Sequence, residues 1–115
     1  MVPVLPLLGV NLAAADTSGA SAVKGYLRIA ADGASYAGGY NIASLTDTNT
    51  GDRTIVWDTD FSDTDYSIVT NSTENNQSNT RHFTFATGSV RAITSNLAET
   101  SNLDRATASI AIGAQ

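Results

Sequence analysis

The sequence predicts an all-β domain: a small antiparallel β-sandwich or barrel of about seven strands, with an extended N-terminal arm in front of it. Three observations lead there. From Lys24 onward the apolar residues recur with period 2 and not 3.6. Turn formers interrupt that alternation at short intervals, as at Asp32-Gly33 and Asn49-Thr50-Gly51. No segment carries the i, i+3, i+4 stripe of an amphipathic helix.

The elements follow in order. Residues 1–12 hold eight large apolar side chains, broken by Pro3 and Pro6. Both prolines favour extended geometry and break a helix. The stretch has no Lys or Arg to open a signal peptide and is too short and broken to span a bilayer. It reads as a retained arm whose Val2, Val4, Leu5, Leu7, Leu8 and Val10 dock on a partner or on the chain's own sheet. Residues 13–23 are small and polar, a linker. The chain thus divides into an arm and linker at 1–23 and a β-domain at 24–115. Strands are expected at 24–30, 38–47, 53–58, 66–71, 81–87, 89–95 and 105–113. Leu27 and Ile29 share one face of the first, and Phe83 and Phe85 one face of the fifth. Asn41, inside the second, is expected to hydrogen-bond to a loop, and Tyr66 to anchor the start of its strand.

Composition sets limits on function. A chain of 115 residues is one domain by length. It has no cysteine, so disulfides, zinc knuckles and thiol chemistry are excluded. His82 is its only histidine, which excludes multi-histidine metal sites. Six basic against 11 acidic residues, net charge -5, argue against a nucleic-acid partner, which needs a basic stripe. Outside residues 1–12 only 23 large apolar residues serve 103 positions. That is thin for one sheet's cover, and it points to a core completed by copies of the same chain, as in a homotrimer.

Residues 40–69 carry a longer phrase. Tyr40-Asn41-Ile42-Ala43-Ser44-Leu45-Thr46-Asp47, then Thr50-Gly51-Asp52, Ile55-Val56-Trp57 and Asp65-Tyr66-Ser67-Ile68-Val69 resemble a small β-domain of bacteriophage tail-fibre and virion surface proteins. Its usual run is YNVSSVTDNGTGDYTVNF, an acidic stretch, then ANYSVV. Ser89-Val90-Arg91, Asp104 and the Ala108–Gly113 run are similar to its closing strand. Ala22-Val23-Lys24 stands where the family often has AWVNF, without the Trp. The resemblance covers about residues 22–113. It implies a structural module on a virion surface, often trimeric, in a tail fibre and host attachment, or in a head spike or capsid decoration. It carries no shared catalytic site. The arm would then dock on other virion proteins. The alternative is a carbohydrate-binding module of a secreted protein, which needs an export signal that the N-terminus supplies poorly.

The remaining side chains offer several sites. Asp58, Asp60, Asp63 and Asp65 crowd one loop and are a calcium candidate, but the EF-hand order is missing, and a solvated turn is the expectation. No metal or other cofactor is expected. His82 is expected on the solvent face between Arg81 and Phe83, and no nucleophile elbow accompanies it. The only glutamates, Glu74 and Glu99, lie in separate polar loops. The chain is therefore read as a non-enzyme. The polar loop at 72–80, with Thr73, Asn75, Asn76, Gln77 and Asn79, is a candidate for contact with a host surface glycan. Sugar contact also calls for an aromatic platform; Trp57, Tyr26, Tyr36 and Tyr40 are the candidates, and most are expected to face the core.

Overall fold

Period-2 patterning is realised as two four-stranded antiparallel sheets. The computed structural model describes residues 22–74 and 78–115. Among these are eight strands: β1 (Val23–Ile29), β2 (Tyr36–Tyr40), β3 (Ile42–Asn49), β4 (Asp52–Trp57), β5 (Ser67–Ser72), β6 (Asn79–Phe83), β7 (Ser89–Ser95) and β8 (Thr107–Ile112). Sheet A runs β2-β1-β8-β5 and sheet B runs β3-β4-β7-β6. Hairpins join β1–β2, β3–β4 and β6–β7; the other connections cross from one sheet to the other. The expected fold class holds. The arm and most of the linker lie outside the described residues.

The eighth strand comes from one residue. The expected strand 38–47 is divided at Asn41, whose φ is 62°. That left-handed conformation turns the chain from sheet A into sheet B, a corner between sheets. Asn suits it because its short amide bonds locally. Its Nδ2 donates to the Thr59 carbonyl at 3.0 Å, its Oδ1 accepts from the Thr59 N–H, and its own carbonyl accepts from Asp58 N–H at 3.0 Å. The expected bond to a loop is therefore present. A second corner, Thr84 at φ 53°, ends β6 at Phe83. Phe83 and Phe85 consequently do not share a face. Arg91 lies over the Phe83 ring at 5.1 Å, while Phe85 packs on the core beside Tyr66.

The interior has two unlike ends. Leu27, Ile29, Ile55, Trp57, Val90 and Ala111 are buried between the sheets, with Trp57 and Ala111 at one end. The acidic connection from β4 to β5 closes this end with Phe61 and Tyr66, whose rings stack at 4.1 Å and meet Trp57 edge-on. The Tyr66 hydroxyl reaches the carbonyls of Ala86 and Ser89, 2.8 Å each, and accepts from Trp57 Nε1 at 3.3 Å. It anchors the start of β5, as expected. Gly113 is required here, since a Cβ on it would lie 2.5 Å from Tyr66 Cβ.

The other end is polar. Arg53 is fully buried, and its Nη2 donates to Thr94 Oγ1 at 2.8 Å. Thr94 Oγ1 meets Thr80 Oγ1 at 2.8 Å. Burial pushes the Arg53 guanidinium down, and the carboxylates of Asp104, Asp47 and Asp52 oppose that shift. Beside it, His82 Nε2 meets Thr70 Oγ1 at 2.9 Å, and Thr70 meets Ser109 Oγ at 2.6 Å. His82 thus points between the sheets and not to solvent. Its register partner Ala92 is buried, and directly opposed residues share a face.

A candidate binding face on sheet A

The outer face of sheet A is built by the same alternation that fills the core. With Leu27 and Ile29 turned inward on β1, Tyr26 and Arg28 must turn outward. The register then lines up side chains from neighbouring strands. Tyr40, Tyr26, Ile110 and Val69 form one row across all four strands. The next row is Gly38, Arg28, Ala108 and Asn71. Tyr26, Tyr40, Val69 and Ile110 are 47%, 54%, 60% and 42% exposed, so the first row is an uncovered apolar stripe. Tyr26 and Tyr40 stack, with centroids 6.1 Å apart and planes 21° from parallel.

Between β1 and β5 this face is recessed. A groove of about 430 Å³ runs along β8, within the range of small-ligand sites. Its floor is Ile110 and Ala108, and its walls are Tyr26 and Val69 at one end, Arg28 and Asn71 at the other. Among the described residues the side chains of Arg28 and Asn71 have neither an ion pair nor a hydrogen bond. The groove is therefore apolar at one end and holds a free cation and a free amide at the other.

Of the sequence candidates only Tyr26 and Tyr40 lie on the apolar stripe. Of the aromatic platform, only Trp57 faces the core; Tyr26, Tyr36 and Tyr40 are exposed, contrary to expectation. Of the polar loop, Asn75, Asn76 and Gln77 lie outside the described residues. Thr73 ties its N–H to the Ala106 carbonyl, and Asn79 is a β6 residue whose amide donates to Glu99. The docking arm, Val2, Val4, Leu5, Leu7, Leu8 and Val10, also lies outside them. Asp58, Asp60, Asp63 and Asp65 do not converge: among the described residues no group of three or more acids or histidines is placed to hold a metal ion. Asp63 uses its Oδ1 to accept from the Asp65 N–H.

The His82–Thr70–Ser109 chain does not make a nucleophile. Ser109 Oγ bonds to Thr70 and not to the imidazole, and no carboxylate orients the ring among the described residues. The two glutamates are each held by structural contacts. Glu74 accepts from the Ala106 N–H, and Glu99 pairs with Arg81 at 3.3 Å. Among the described residues no helix is long and apolar enough to cross a membrane.

Comparison with known proteins returns nothing: no family model, no curated protein and no solved structure matches the chain.

Proposed function

We propose that this chain is a non-enzymatic structural β-domain displayed on the surface of a phage-like particle, acting as a fibre or spike module in host attachment or capsid decoration. One observation carries the reading. The residues of the virion-domain resemblance are those on which this fold depends. Asn41 is the corner between sheets, and Gly51 takes the positive φ of the β3–β4 turn. Trp57 and Tyr66 form the aromatic end of the core, and Gly113 is the close approach beneath Tyr66. The resemblance keeps Asn41, Gly51, Tyr66 and the closing Gly113 and an aromatic residue at Trp57, where the family's run has Phe. In this reading residues 1–12 are the attachment segment, and the domain assembles as a homotrimer with other particle proteins beneath it.

The test is direct. Density-purified particles from a host carrying this gene are analysed by mass spectrometry and labelled with gold-coupled antibody to the domain. The expected result is a fixed copy number per particle and label on the outer surface. Particles lacking the chain would overturn the assignment. Light scattering of the purified chain should return three times the monomer mass; a monomer at micromolar concentration would remove the trimer.

A further inference from the structure

We infer that the groove on sheet A is a saccharide site selective for a carboxylated pyranose of the hexuronic acid type. The inference goes beyond the particle assignment and is independent of it, because it rests on the groove alone.

The argument starts from spacing. β1 and β5 flank β8, so side chains facing each other across β8 rise from backbones about 10 Å apart, twice the strand separation. At one position these are Tyr26 and Val69 over Ile110; at the next they are Arg28 and Asn71 over Ala108. Residues two apart on a strand are separated by about 6.6 Å along its axis. A slot of these dimensions suits one sugar ring and not a bulky folded partner. The apolar face of a pyranose lies against Tyr26 and Ile110, which stand 47% and 42% exposed.

Charge fixes the rest. Arg28 has no counter-ion among the described residues, on a chain of net charge -5 that has acids to spare. Its planar fork matches a carboxylate with two parallel hydrogen bonds. Asn71 stands opposite it across Ala108, with both amide functions open to ring hydroxyls. A hexuronic acid carries its carboxylate directly on the ring, so ring and carboxylate fall within one step of the strand. A neutral sugar leaves Arg28 unpaired, and an aliphatic acid leaves the hydroxyl-binding amide unused.

Isothermal titration calorimetry of the full chain with tetragalacturonate tests this, with cellotetraose and an acetylated Gly-Phe dipeptide acid as competing ligands. Tetragalacturonate is expected to bind, with affinity falling as salt rises, and the other two to bind at least tenfold more weakly. Arg28→Ala should weaken tetragalacturonate about tenfold or more, as loss of a charge-assisted bond does. Tyr26→Ala should weaken it about fivefold. Arg28 is exposed and unpaired, so its variant should keep the wild-type thermal midpoint; Tyr26→Ala also loses the stack on Tyr40, so its binding is read well below its own midpoint. Equal affinity for cellotetraose overturns the role of Arg28, and preference for the dipeptide acid overturns the saccharide. No binding, with Tyr26→Ala changing only the mass seen by light scattering, makes the groove a contact between copies and overturns the inference.

Discussion

Tyr66 shows how much a single atom does here. Its hydroxyl links the acidic connection to the carbonyls of Ala86 and Ser89 and takes the indole N–H of Trp57. Burial raises its pKa, so it remains a neutral donor through the ordinary range. Tyr66→Phe keeps the ring stack on Phe61 but leaves buried polar groups without their partner. We expect a loss of about 1–3 kcal/mol in urea unfolding, with the slope unchanged. A neighbouring case of opposite logic is Arg91. Its Nε and Nη2 hold both oxygens of Asp52, at 2.8 and 2.6 Å, while its guanidinium lies over Phe83. The arginine fork keeps the Asp52 carboxyl below its usual range, so this pair stays ionised in moderate acid.

At the scale of elements, most of what the sequence announces is parity. Leu27 and Ile29 inward is readable from alternation, and it already forces Tyr26 and Arg28 outward. The exposed platform was legible to that extent, although aromatic bulk suggested burial. On β8 the bulky residues are not the core residues: Ile110 is exposed and Ile112 half-buried. The small Ala111 between them is the buried residue, packed in the core cluster. Ile68 and Val69 are both apolar, so no pattern decides which one faces solvent. The two corners were not legible, since Asn41 and Thr84 sit inside alternating runs and only their backbone angles reveal the break. The outward reading of His82 failed for a related reason: its inward neighbours are Thr70 and Ser109, polar residues that do not mark a core face. The corner at Asn41 is testable. Asn41→Gly keeps the left-handed angle and loses only the amide bonds to Thr59. Asn41→Val loses both, since β-branched residues are poorly tolerated there. Thermal unfolding should rank wild type above Gly above Val, each step about 1 kcal/mol or more.

For the whole molecule, the paired and buried titratable groups predict a response to acid in two stages. Burial, aided by the nearby charge of Arg53, holds His82 below its ordinary value of 6.5. The unfolded chain therefore takes up that proton first. Stability is full above pH 6.5 and falls as pH drops from there through the folded value. Asp52 acts lower: its contribution is complete above 3.8 and is lost as pH falls through its depressed folded value. Denaturation midpoints between pH 8 and about 2 should show both stages, and His82→Gln should flatten the first while leaving the second. The divided interior reaches further than pH. Exposing the aromatic cluster hydrates hydrocarbon, which raises the heat capacity; exposing the buried Arg53, Thr94, Thr107 and Ser109 hydrates polar groups, which lowers it. The polar share of this interior works against the apolar one, so calorimetry is expected to place the heat-capacity increment toward the low side of about 12–15 cal/mol/K per residue. A smaller increment makes the stability curve shallower, so this fold should lose less stability on cooling below its maximum than a domain of the same length with a wholly apolar interior.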